Sequence, residues 1–237
     1  MRVFARIFIP AWLLIACSVL PGYAQNDVVS KAFLMGKINY MRDTSFTKVD
    51  KRYTDREIYL KKETYSAYIK MYAAALKDGV QLTMISGVRS FYDQCCKWDG
   101  KWNAAEFSGI KNTDEKINRM LRWWSMPGTS RHHWGTDMDL TNIKPAWYNT
   151  VQGIKTYNWL VKYAAAYGFY QPFNANRPVG YQEEKWHWSY VPLARIYLRE
   201  YLKEISYTDF AGFYGYHSAQ KMDVIATRVS AINPACK

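Results

Sequence analysis

Cysteine and histidine are both scarce in this 237-residue chain, with four of each. No Cys-x-x-Cys pair occurs, which excludes a zinc finger or ribbon and a thioredoxin-like redox motif. No internal repeat, low-complexity tract or Pro/Gly-rich linker divides the sequence, so a single domain is expected. The first apolar run, residues 7–20, falls short of the roughly 20 residues that a membrane-spanning helix needs. No second run follows, and no stable membrane span is expected. Acidic residues are in deficit, 20 against 32 Lys and Arg, for a formal charge of +12. Such a balance suits anionic polymers or membrane surfaces. The basic residues are scattered, however, and no helix-turn-helix, finger or RNA-binding sheet signature accompanies them, so a nucleic-acid partner is not expected.

What the chain does have is apolar and aromatic material. Apolar residues make up 49% and aromatics 17%, with twenty Tyr and ten Trp, enough for one sizeable core. The aromatics read first as core and amphipathic surface, and second as a groove that stacks on sugar rings or peptide.

Residues 1–24 have the form of an export signal. Arg2 and Arg6 precede the apolar run, and Pro21-Gly22-Tyr23-Ala24 supplies a small-residue cleavage region. Removal would lower the charge from +12 to +10. Leu14-Ile15-Ala16-Cys17 resembles a lipobox, but the residues after Cys17 stay apolar, so cleavage near Ala24 is preferred to lipidation. The mature protein, 25–237, would then be periplasmic or held in the cell envelope. An oxidising compartment favours a disulfide of Cys236 with Cys95 or Cys96, leaving one thiol over.

Thr54-Asp55-Arg56-Glu57 has the pattern of a capping box and predicts a helix from Thr54, with Tyr65, Tyr68, Ile69, Tyr72 and Leu76 inward and Asp78-Gly79 ending it. Val80, Leu82 and Met84 alternate into a strand that turns at Ser86-Gly87-Val88-Arg89-Ser90. An arginine just past a strand end can hold a carboxylate or oxyanion bidentately, although a lone arginine is more often a surface residue. Residues 93–125 read as an irregular excursion, either self-packed or facing substrate through Trp98, Trp102, Trp123 and Trp124. A second helix is expected over 156–167, a strand over 186–191, and a third helix from Pro192 to about Tyr207 with Leu193, Ile196, Tyr197 and Leu202 inward.

Chemistry concentrates in Ser130-Arg131-His132-His133-Trp134-Gly135-Thr136-Asp137-Met138-Asp139-Leu140 and in Glu183-Glu184-Lys185-Trp186-His187-Trp188. His132, Asp139 and His187 make a three-ligand set with one position open, as catalytic Zn²⁺ requires, and Glu184 is placed to work on the bound water. Satisfied structural histidines are the competing reading. In a straight strand Glu184 and His187 would point to opposite faces, so their convergence requires a local bend.

Ser130-x-His132-x-x-Gly135-x-Asp137-x-Asp139 resembles the S-x-H-x-x-G-x-A-x-D signature of the D-alanyl-D-alanine metallopeptidases, which include the vancomycin-resistance carboxypeptidases and dipeptidases. Glu184-x-Trp186-His187 is similar to their E-x-W-H element, and Ser86-Gly87-Val88-Arg89-Ser90 to their S-G-Y-R-S element. The three motifs occur in the family's order, within residues 54–205, leaving 206–237 as a C-terminal extension.

The resemblance implies an α+β fold of the hedgehog/D,D-peptidase kind, a small central antiparallel sheet with flanking helices. It implies Zn²⁺ on His132, Asp139 and His187, Glu184 as base and then acid, Arg89 as catalytic and substrate-holding cation, and Ser130 as a substrate-orienting hydroxyl. Trp186 is expected to pack beneath the metal. The implied substrate is the stem peptide of peptidoglycan and the implied reaction removal of a terminal D-Ala; a monomer is expected. A D,D-dipeptidase, an L-alanyl-D-glutamate endopeptidase and a non-catalytic wall-binding module are the alternatives. The chain departs from the pattern at Asp137, where Ala is usual, and at Lys185, often Pro; His133 falls on a variable position and is not assigned as a ligand.

Overall fold

A computed structural model describes residues 29–237. The expected signal and Cys17 lie outside the described residues. In chain order the elements are α1 (Lys31–Leu34), β1 (Phe46–Lys48), β2 (Tyr59–Lys61), α2 (Lys62–Lys77), β3 (Met84–Ser86), α3 (Phe91–Trp102), α4 (Ala105–Ser108), α5 (Thr113–Met120), β4 (Asp137–Leu140), α6 (Val151–Tyr163), β5 (Phe169–Tyr170), β6 (His187–Tyr190) and α7 (Val191–Glu204). Strands β1 and β2 form an antiparallel hairpin, and the other four make an antiparallel sheet in the order β3-β4-β6-β5. The single α+β domain with a small central antiparallel sheet is therefore as expected. Among the described residues no helix is long and apolar enough to cross a membrane.

Strand alternation divides the work of this sheet. In the central pair Met138 lies opposite Trp188, and Asp137 and Asp139 lie opposite Ser189 and His187. Successive side chains point to opposite faces. Met138, Leu140 and Trp188 accordingly pack with Tyr68, Met71 and Ala75 of α2 and Trp159 and Leu160 of α6 in one apolar cluster. The polar residues of the same strands are left on the other face. A second cluster lies beside it, built from α1, α3, α5, α7 and the C-terminal segment, with Trp98, Trp134, Tyr201, Phe210 and Phe213 among its members.

Several boundaries differ from the sequence reading. The segment after Thr54 is not helical: Thr54 Oγ1 accepts from Arg56 N–H at 3.1 Å in a turn, and Tyr59–Lys61 pairs as β2. Ile58 and Leu60 are buried, so the alternation after the box, and not the box, decides the local structure. The excursion over 93–125 is largely helical. Ser90 caps α3 in a reciprocal box, its Oγ accepting from Asp93 N–H at 3.0 Å and Asp93 Oδ2 accepting from Ser90 N–H at 3.1 Å. Leu76 and Leu202, expected inward, are 52% and 45% exposed; Ala75 and Tyr201 take their places.

Among the described residues Cys95, Cys96 and Cys236 are free thiols, so the expected disulfide is not formed there. Cys236 is buried in the second cluster, where desolvation pushes its thiol up to about 12. Cys95 and Cys96 lie on α3, and Cys96 is exposed. Apolar packing of Phe210, Phe213, Val224, Val229 and Ile232 holds the tail in place of a crosslink.

Gly135 ends the 3₁₀ turn Arg131–Trp134 and re-aims the chain into β4 with φ +68°. A Cβ there would stand 2.4 Å from Phe46 Cε1, and Gly135 O accepts from Lys61 N–H, docking the hairpin on the turn. Left-handed strain and the clash together predict that Gly135→Ala loses about 2–4 kcal/mol of stability. Urea unfolding measures it, and a midpoint equal to wild type would contradict this account of the turn.

Candidate metal centre in the cleft

The polar face of β4 and β6 forms part of a cleft of about 720 Å³, within the range of small-ligand sites. His132 comes from the 3₁₀ turn before β4, Asp139 from β4 and His187 from the first position of β6. All three are buried, and one ligand atom from each lies within 4.8 Å of the others.

The hydrogen bonds fix which atoms converge. A carbonyl oxygen only accepts, so His132 Nδ1 donates to Gly87 O at 2.8 Å. Its Nε2 lone pair then faces Asp139 Oδ2 at 3.4 Å. His187 uses its nitrogens the other way round. Nε2 donates to Asp137 Oδ2 at 2.9 Å, and Nδ1 faces Asp139 Oδ1 at 3.4 Å and Glu184 Oε2 at 3.3 Å. The required bend is present: residues 185–186 form a turn in which His187 N–H donates to Glu184 O at 3.2 Å. That turn brings Glu184 and His187 to one side.

The donor set fits a divalent cation. Asp139 Oδ1 is buried without a hydrogen-bond partner, an expensive state unless something electropositive faces it. Burial alone would push the His187 imidazolium down, but the hydrogen bond to Asp137 and the nearby Asp139 and Glu184 carboxylates hold it well above its ordinary value. The group therefore favours a positive charge at the place where a metal would sit. Burial, reinforced by the charge of Asp139, raises the Glu184 carboxyl above its usual range.

Arg89 reaches the cleft from the turn after β3. Its guanidinium donates to Gln94 Oε1 at 2.7 Å and to Ser86 Oγ at 3.4 Å, and its backbone N–H donates to His132 O at 3.0 Å. Ser130 is buried and lines the cleft. Trp186 lines the cleft, stacked on Trp123 at 6.3 Å, and the ring packed on His187 is Phe173, at 4.8 Å. His133 has no lone pair to offer, since Nδ1 donates to Arg89 O at 2.8 Å and Nε2 accepts from Gly128 N–H at 3.1 Å.

Sequence reasoning missed the α3 wall. Gln94, Lys97 and Lys101 recur at helical spacing and all line the cleft. Lys101 pairs with Glu106 at 3.0 Å, whereas among the described residues no carboxylate lies within ion-pair reach of Lys97. The Ser90-x-x-Asp93 box was the signal that would have revealed the helix, and with it this row.

A two-histidine, one-aspartate group beside a buried glutamate in an open cleft is the layout of a hydrolytic centre. The profile of the VanY D-alanyl-D-alanine carboxypeptidases matches residues 57–193, more than half of the chain and all three motifs. The chain belongs to that family. It is 30% identical over 141 residues to YodJ of Bacillus subtilis (strain 168), a protein named for a carboxypeptidase, covering 56% of this chain and 46% of YodJ. It thus spans just under half the length of that relative. Two solved structures share the fold at 24% identity. One is the vancomycin-resistance D,D-pentapeptidase VanY of a VanB-type cassette in complex with Zn(II), with a TM-score of 0.51 over 70% of this chain and 93% of that one. The other is VanYB in complex with D-alanine-D-alanine, with a TM-score of 0.52 over 71% and 93%.

His133→Ala should lower stability by about 2–4 kcal/mol, because it strands two buried backbone groups. Metal stoichiometry in the folded variant should be unchanged. Loss of bound metal without loss of stability would instead make this ring a ligand.

Proposed function

We propose that the chain is an exported zinc-dependent peptidase that removes the terminal D-Ala from peptidoglycan stem peptides. The observation that carries the reading is the convergence of the His132 Nε2, Asp139 and His187 Nδ1 donors beside Glu184 on the floor of an open cleft. Family membership supports the peptidase activity, and the apolar run at residues 7–20 supports export.

His132, Asp139 and His187 would hold Zn²⁺, which would supply Lewis-acid chemistry at the scissile bond. Glu184, with its raised carboxyl, takes the proton of the attacking water and passes it to the leaving amine. Arg89, braced by Gln94, donates to the carbonyl oxygen or the terminal carboxylate as negative charge builds. Ser130 orients the peptide from the cleft wall. The burial of the group strengthens these interactions by excluding bulk water.

Metal analysis paired with D-Ala release from a pentapeptide stem tests the whole reading. About one zinc per chain and release that stops on chelation and returns with zinc are expected. Glu184→Ala should keep zinc and lose about 10²–10⁴-fold in turnover, whereas His187→Ala should lose both. Near wild-type hydrolysis by Glu184→Ala would remove the base assignment, and zinc without D-Ala release would move the chain to another bond specificity.

Lys97 supplies a further expectation. A cation at the cleft rim beside Arg89 suits a substrate carboxylate, and Arg89 is the chief reason its own ammonium is held below its ordinary value. Lys97→Met should raise KM about tenfold with kcat nearly unchanged. Steady-state kinetics on the stem peptide decide it, and an unchanged KM would leave Lys97 a solvated surface residue.

A further inference from the structure

Beside Asp139 and Glu184 the site contains a third acidic residue that the ligand set does not use. Asp137 is fully buried and lies opposite Ser189 on the same sheet face as Asp139 and His187. Its Oδ2 accepts from Arg131 Nε at 2.8 Å and from His187 Nε2 at 2.9 Å. Its Oδ1 accepts from Thr136 Oγ1 at 2.8 Å and from Ser189 Oγ at 2.9 Å. Arg131 Nη2 closes the ring by donating to Ser189 Oγ at 2.6 Å. The Arg131 guanidinium also lies 4.9 Å from the centre of the Trp134 ring, which fixes it from a further side.

Every member of this network is buried, with Thr136 and Ser189 fully so and Arg131 at 2% exposure. A lone buried carboxylate would be costly, and Arg131 offsets its charge. The His187 ring can be held by packing against Phe173, but packing cannot choose a tautomer. An ionised carboxylate accepts and cannot donate, so the bond to Asp137 places the imidazole proton on Nε2. The Nδ1 lone pair is thereby left for the cleft.

We propose that Asp137 is a positioning residue that fixes His187 as the Nε2–H tautomer, aims its Nδ1 lone pair at the metal and strengthens it as a donor, with Arg131 and Ser189 holding Asp137 in turn. Asp137 is also the position at which this chain departs from the Ala of the pattern it resembles, so the device belongs to this sequence. Partners of this kind add about 10–100-fold to metal affinity. The proposal rests on the metal reading above, and its test separates the two.

Zinc dissociation constants are measured by competition with a chromophoric chelator for the wild-type chain and for Asp137→Asn, with urea unfolding run alongside. The expected result is a folded variant that binds zinc about 10–100-fold more weakly. A folded Asp137→Asn with wild-type zinc affinity overturns the proposal and leaves the metal site intact. A wild-type chain that binds no zinc overturns both. Should the variant fail to fold, nitrogen-15 spectra of the histidines in zinc-loaded wild-type protein decide the question. A proton retained on His187 Nε2 with the metal on Nδ1 supports it, and the reverse tautomer sinks it.

Discussion

The register of β4 against β6 is the constraint on which the rest depends. With Asp139 opposite His187, the two strands present the candidate ligand pair and the residues behind it, Asp137 and Ser189, on one face. Met138 and Trp188 are sent to the other. A slip of one residue would exchange these sets, placing Trp188 in the cleft and a carboxylate against α2 and α6. Burial of the apolar face therefore enforces the site geometry. The same hydrophobic driving force that folds the sheet aligns the ligands, and two short strands suffice because both of their faces are committed.

Supporting elements bring the remaining groups to this register from a distance along the chain. His132 is locked by Gly87 O, which belongs to the turn after β3, and Gly87 has no room for a side chain because a Cβ would meet Ile58 Cγ2 at 2.5 Å. His133 ties the Arg89 carbonyl to the Gly128 amide, so adjacent histidines play unlike parts. One presents a lone pair to the cleft. The other spends both nitrogens on backbone and is pushed down to about 3 by burial, which keeps it neutral and structural.

The parts legible in the sequence were those whose chemistry is local. Ligand types at fixed spacing, the burial alternation of Val80, Leu82 and Met84 leading into β3 and the helix stop at Asp78-Gly79 could all be read from neighbours in the chain. What escaped depended on partners far away. Thr54-x-x-Glu57 and Ser90-x-x-Asp93 look alike, yet only the second caps a helix, because Ile58 and Leu60 find burial as strand-side residues while Gln94 and Trp98 find it at helical spacing. The convergence of Glu184 and His187 depended on a turn at 185–186 that spacing alone argues against. The role of Asp137 was hidden for a similar reason, since its partners Arg131 and Ser189 are 58 residues apart.

Charge gives the cleft its final logic. Asp137, Asp139 and Glu184 stand against the guanidiniums of Arg131 and Arg89, so with neutral imidazoles the buried set is one negative charge in excess. A low-dielectric setting makes such an imbalance costly, and the carboxylates around His187 hold its imidazolium well above the ordinary value. A divalent cation reverses the sign and leaves the cleft one positive charge in excess, and Lys97 at the rim adds another. A peptide ending in a free carboxylate reduces that excess, whereas an internal peptide bond with no charge nearby does not. On the proposed peptidase reading these charges suit a chain end better than a chain interior as the occupant, and they come from five places: the 3₁₀ turn before β4, β4 itself, the turn after β3, α3 and the segment before β6.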